Sequence, residues 1–134
     1  MSEIIILDSH IWFWFINQEF DRFPSQWRNL IETAEQVGVS CVSCYEIALA
    51  YQRGRIELPC PPNQWFKESL EPVDIQLLPL TPNIAHQAVN LSPIHKDPFD
   101  RIIIATAIEY KAKLASIDTV FSKYVELEPY LLKK

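Results

Sequence analysis

The stretch His95-Lys96-Asp97-Pro98-Phe99-Asp100-Arg101-Ile102-Ile103-Ile104-Ala105-Thr106-Ala107 decides how the chain is read. Asp97 followed by Pro98 predicts a helix start, with an acid at the N-cap and proline at the first helical position. Residues 102–108 are apolar on every face, which predicts a buried helix. Asp100 then falls in the first helical turn, where free backbone N–H groups and the dipole favour an anion. Capping accounts for Asp97. It does not account for the recurrence of the arrangement, because acids stand at the mouths of elements four times: Asp8, Glu46, Asp100 and Asp118.

On either side of this helix, apolar runs alternate with helical patterns. Residues 3–7 predict a strand buried on both faces, ending at Asp8-Ser9-His10. Asp8 or Ser9 then caps a helix over 11–16. This all-apolar helix is read as either core or a partner surface, and its four consecutive aromatics, Trp12, Phe13, Trp14 and Phe15, predict some exposed contact area. Pro24 opens a helix over 25–36, Gly38 punctuates, and 39–42 is expected as the second strand. Ser43-Cys44-Tyr45-Glu46 has the pattern of a capping box before a helix over 47–51, which makes capping a serious alternative role for Glu46. That helix closes at Arg53, Gly54 and Arg55. Further on, helices are expected over 63–70 and 82–90, a strand near a sheet edge over 73–78, and a strand over 113–117 ending at Asp118. A helical turn through 121 and a small fifth strand over 125–127 complete the reading.

The 134 residues are read as one domain, 1–134, with 49% hydrophobic residues to build its core. Two glycines against ten prolines exclude a glycine-rich phosphate loop. Glu3 and Asp8 interrupt any signal-peptide core, no run approaches a membrane span, and the three cysteines are odd in number, so a reducing cytoplasm is expected. Cys41-x-x-Cys44 has zinc-knuckle spacing but only Cys60 as a third thiol. With Cys41 expected in a buried strand, packing thiols are the better reading.

Alternating strands and helices, with strands written as continuous apolar runs, imply a three-layer α/β fold. Helices flank a central parallel sheet of four to five strands. In such a sheet every strand points its C-terminal end at one edge, so Asp8, Glu46, Asp100 and Asp118 are delivered to one rim. Two carboxylates about 4 Å apart repel by roughly 4 kcal/mol at an effective dielectric of 20. A cation or shifted pKa values must relieve four of them. All-oxygen ligation selects a hard ion, Mg²⁺ or Mn²⁺.

These marks carry a family resemblance over nearly the whole chain. Ile-Leu-Asp8-Ser9-His10, Ser43-x-x-Glu46, Asp97-Pro-Phe-Asp100-Arg-Ile-Ile-Ile-Ala-Thr-Ala and Ala-Ser116-Ile-Asp118-x-x-Phe121 resemble PIN-domain proteins of the VapC toxin type. The resemblance implies a three-layer PIN-like fold and a Mg²⁺- or Mn²⁺-dependent endoribonuclease, the toxin of a toxin–antitoxin pair. Its metal and catalytic acids would be Asp8, Glu46, Asp100 and Asp118. Ser116 matches a supporting hydroxyl, Ser9 is a second, and Asp97 is an accessory acid. No acid of the pattern is missing.

Lys96, Arg101, Arg53 and Arg55 are candidates for phosphate contact, with solvated helix ends as their alternative. A net charge of −5 is unusual for an RNA-binding protein, so bound cations, a basic partner or a dimer groove would have to reverse the local sign. Expected partners are an RNA substrate, a small antitoxin protein and a second copy in a homodimer; no membrane is expected. A haloacid-dehalogenase-type phosphatase would need a second Asp at position 10, which is His. A response-regulator receiver would need an acid next to Asp8 and a phosphoacceptor after Leu78. A non-catalytic PIN-like module that binds RNA or protein at the rim survives as the competing reading.

Overall fold

Ile4–Leu7 is an uninterrupted aliphatic run because it forms β1, an interior strand whose Ile5, Ile6 and Leu7 are all fully buried. Alternate side chains leave opposite faces: Ile5 and Leu7 join one core cluster and Ile6 the other. The computed structural model describes residues 3–134. Its sheet is parallel throughout, in the order β3-β2-β1-β4, with β2 at Gln36–Ser40, β3 at Ile75–Leu78 and β4 at Lys113–Ala115. Helices α1 (Ser9–Ile16), α2 (Ser25–Thr33) and α4 (Pro62–Glu68) cover the Ile5 face. Helix α6 (Pro98–Tyr110) covers the Ile6 face, with α5 (Pro82–Val89) packed on its outer side. The three-layer arrangement and the buried helix at 98–110 are as expected.

Several local expectations are corrected. The second strand begins three residues earlier than its reading, and Gly38 lies inside it. A Cβ at Gly38 would stand 2.9 Å from Leu78 Cδ1, so this glycine makes room for the neighbouring strand's leucine and does not break the chain. The helix after β2, α3 (Cys41–Gln52), starts at Cys41 with Ser40 as its cap, the Ser40 hydroxyl accepting from the Val42 N–H. Cys41 is therefore helical, and Ser43-x-x-Glu46 is not a capping box. Glu46 sits more than a turn inside α3, where capping no longer explains it.

The fifth strand over 125–127 is absent. Tyr124 and Leu127, three apart, are both fully buried, a period that suits the observed 3₁₀ turn at Val125–Leu127 and not a strand. The sheet's outer edge is instead closed by Leu131, which bridges Leu114 in parallel. The aromatic run at 12–15 is also not a free surface. Trp12 and Phe13 are buried, and Trp14 and Phe15 pack against the same cluster. Trp12 meets Trp65 edge-on at 4.9 Å between ring centroids, Phe15 meets Phe20 at 5.9 Å, and Trp12 Nε1 donates to the Ser69 carbonyl. The 3₁₀ turn Phe20–Arg22 and helix α4 supply the covering rings that the run alone does not reveal.

Candidate active site

Each strand that carries an acid ends at the same edge. Asp8 follows β1 directly, and its backbone N–H donates to the Ala115 carbonyl, tying it to the end of β4. Its Oδ1 accepts from the Ile11 N–H at 2.9 Å, so the carboxylate caps α1, and it is only 6% exposed. Asp118 follows β4, is exposed, and accepts from the Val120 N–H through Oδ1. Its own N–H donates to the hydroxyl of buried Ser116. Asp97 caps α6 through Oδ1 and the Phe99 N–H, and Asp100 is the third residue of that helix.

Ser9 links the first and second βα units. Its Oγ lies 2.7 Å from Glu46 Oε1 and 2.8 Å from Ser43 Oγ. A serine hydroxyl carries one proton, so Ser9 donates to the carboxylate while accepting from Ser43. Ser43, fully buried, thereby orients Ser9; the sequence reading gave it no role beyond capping.

The acids act on one another. Burial raises the Asp8 carboxyl above the usual aspartate range, opposed by hydrogen bonds from Ser116 and Ile11 and by His10, with Asp118 adding to the rise. Burial also raises Glu46; the Ser9 hydroxyl opposes this, and Asp97 and Asp8 reinforce it. Asp100 is pushed up to about 7, by burial first, then by Asp97 and Glu46, with His95 opposing and Asp118 adding. Asp8, Glu46, Asp100 and Asp118 thus belong to one electrostatic cluster, with Asp97 inside it.

The tightest constellation among the described residues is different from the four acids. Ligand atoms of His95, Asp97 and Asp100 all lie within 4.8 Å of one another, and His95 Nε2 is 3.0 Å from Asp100 Oδ2. Glu46 and Asp118 act electrostatically on Asp100, and Asp8 in turn on Glu46. The reading from sequence missed His95. Its signal was a histidine two residues before a helix N-cap, within reach of an acid in the first turn.

Arg101 corrects the expectation of a phosphate contact. Its Nε donates to the Ala88 carbonyl, Nη1 to those of Ser92 and His95, and Nη2 to those of Val89 and Leu91. All five N–H donors of the guanidinium are consumed by backbone, so it holds the 88–95 segment together and has none left for a phosphate. Arg53 and Arg55 do face the site. They line a cleft of about 420 Å³ with Ser9, His10, Glu46 and Asp97. Lys96 is exposed beside Asp97.

Carboxylate and hydroxyl oxygens dominate the donor set, and Asp100 is raised by burial first and then by the acids around it. Both fit a divalent cation. No helix among the described residues is long and apolar enough to cross a membrane.

Comparison with known proteins shows the family. A family model described as the PIN domain matches residues 5–127. Ribonuclease VapC22 of Mycobacterium tuberculosis is 35% identical over 115 residues, covering 85% of this chain and 86% of the relative. In fold, the chain resembles a structure of VapBC2 from Rickettsia felis bound to a promoter DNA fragment, with a TM-score of 0.68, 14% identity and 97% of each chain covered. It also resembles a toxin–antitoxin complex from Klebsiella pneumoniae, with a TM-score of 0.60, 17% identity, and 96% and 99% covered. With a match over almost its entire length and a relative of this identity, the chain belongs to the PIN-domain family, and within it to the VapC type.

Proposed function

We propose that the protein is an endoribonuclease that hydrolyses RNA phosphodiesters with Mg²⁺ or Mn²⁺ at the rim formed by Asp8, Glu46, Asp100 and Asp118. The observation that carries the reading is that acids from separate elements act on one another: Asp100 is raised to about 7, by burial first and then by Asp97 and Glu46, with Asp118 adding to the rise. The cation supplies charge neutralisation at the phosphodiester and eases deprotonation of an attacking water. The protein's part is to hold the carboxylates rigidly. Asp8 is fixed by the Ile11 N–H, Glu46 by Ser9, Asp118 by the Val120 N–H, and Ser116 braces the loop between β4 and Asp118. One carboxylate accepts the proton released by water. Asp97 adds charge beside Asp100, and Arg53 and Arg55 draw the RNA backbone into the adjoining cleft.

The physiological role is that of a toxin restrained by a small antitoxin protein, acting in the cytoplasm as a homodimer. The ribonuclease part is supported by the VapC-type relative's name, and the antitoxin partner by the Klebsiella pneumoniae structure of the same fold, a toxin–antitoxin complex.

Cleavage of a synthetic RNA in Mn²⁺ or Mg²⁺, abolished by EDTA and leaving a 5′-phosphate on the downstream fragment, is the expected result. Asp8→Asn should remove the activity while circular dichroism stays unchanged. Full cleavage in EDTA, or a 2′,3′-cyclic phosphate product, would sink the reading. RNA binding with no cleavage under any metal would leave a non-catalytic binding module.

A further inference from the structure

Three side chains at the start of α6 form a constellation that the four acids do not require. His95 Nε2 lies 3.0 Å from Asp100 Oδ2, and an atom of Asp97 completes a group within 4.8 Å. Two cis ligands of an octahedral ion, each about 2.1 Å from it, are about 3.0 Å apart, and trans ligands about 4.2 Å. The 3.0 Å between His95 Nε2 and Asp100 Oδ2 is that of a cis pair, and Asp97, within 4.8 Å of both, stands close enough to join them by a small side-chain adjustment. Asp97 Oδ1 accepts from the Phe99 N–H, which leaves its second oxygen for an ion. The His95 side chain is 35% exposed, so an aqueous ion can reach it.

The second observation concerns how His95 is held. Its N–H donates to the hydroxyl of Tyr124 at 3.0 Å, and its carbonyl accepts from Arg101 Nη1 at 3.1 Å and from the same hydroxyl at 3.3 Å. Tyr124 is fully buried, and Arg101 spends four further donors on the segment that leads to His95. Both ends of the residue's backbone are therefore pinned, and only the imidazole's own two torsions remain. A helix cap does not need that support. A histidine ligand does, because ligand geometry must be fixed before the ion arrives.

We propose that His95 is a metal ligand, binding one cation together with Asp97 and Asp100, and that its imidazole makes this position prefer a divalent transition ion over Mg²⁺. Imidazole nitrogen suits borderline transition ions, whereas Mg²⁺ takes oxygen and keeps its waters. The proposal rests on the metal-dependent reading above and narrows it to Mn²⁺ or a similar ion. It also makes Asp100 the acid shared between His95 and the remaining carboxylates.

The experiment reads metal binding and not cleavage. Pulsed EPR of the Mn²⁺-loaded parent should show ¹⁴N coupling from a directly bound imidazole, which requires no variant. In His95→Gln that coupling should vanish, and calorimetric Mn²⁺ affinity should fall about 10- to 100-fold, while Mg²⁺ affinity moves about threefold or less. Mn²⁺ bound without ¹⁴N coupling, or unchanged Mn²⁺ affinity in His95→Gln, overturns the role of His95 and leaves the nuclease reading standing. A parent that binds neither Mn²⁺ nor Mg²⁺ overturns both.

Discussion

Replacing Asp100 with asparagine should make the metal-free protein more stable at neutral pH and flatten its response to pH. The Asp100 carboxyl is lifted from 3.8 to about 7, by burial first and then by Asp97, Glu46 and Asp118, against the opposing effect of His95. A carboxyl raised on folding holds its proton more tightly in the native state than in the unfolded one. Its contribution is fully present below about 3.8 and is lost as pH rises through about 7. A rise of this size corresponds to about 4 kcal/mol as a ceiling. The side chain is 18% exposed and neighbouring carboxyls share the proton, so roughly 2–3 kcal/mol is expected. Asparagine keeps the shape and can still hydrogen-bond His95, but forfeits about 0.3–1 kcal/mol of charge–dipole interaction at the helix start. The net gain at about pH 8 is then about 1–2 kcal/mol. Asp8 and Glu46 are also raised and slope the parent the same way. Glu126 is lowered, so its contribution is lost only at more acid pH, as pH falls from its ordinary value. Urea titrations in EDTA from about pH 5 to about pH 8 should show the parent losing stability by up to about 1.4 kcal/mol per pH unit, and Asp100→Asn losing less. If the parent is flat over that range, or the two profiles run parallel, the carboxylates do not share a rim.

Metal should reverse the parent's alkaline loss. Mn²⁺ at a hundredfold excess over its dissociation constant adds about 2.7 kcal/mol, seen as a melting shift that EDTA abolishes. Arg101→Lys leaves several of the carbonyls of Ala88, Val89, Leu91, Ser92 and His95 without donors, and should cost about 2–4 kcal/mol by thermal unfolding. Because the partners are carbonyls and not carboxylates, added salt should change that loss little. Gly38→Ala drives a methyl against Leu78 and should destabilise by about 1–3 kcal/mol in urea, with Leu78→Val partly restoring it.

The sequence made the sheet and the acids legible because both depend on local signals. Ile4 to Leu7 has the continuous apolar pattern of an interior strand, and Asp97-Pro98 that of a helix start, so Asp8, Asp97 and Asp100 are placed relative to their elements by local signals. What was not legible depends on neighbours distant in sequence. Gly38 looks like a breaker until Leu78 is beside it, and the aromatics at 12–15 look exposed until Trp65 and Phe20 cover them. Arg101 looks like a free cation at a helix start, since nothing in its own neighbourhood shows five carbonyls turning toward it. His95 was passed over for the same reason: its importance lies in the hydroxyl of Tyr124, 29 residues away.

The strand order has a temporal consequence. Asp8 emerges from the ribosome with the first strand, yet that strand's outer partner, β4, is the last of the four strands to be made, and the Leu131 bridge that closes the edge follows it. Pairing between strands this far apart in sequence cannot precede the synthesis of the later one. A nascent chain therefore carries Asp8, Glu46 and Asp100 as separate, unassembled groups until β4 is made. The site assembles only after β4 and the Asp118 that follows it have been made.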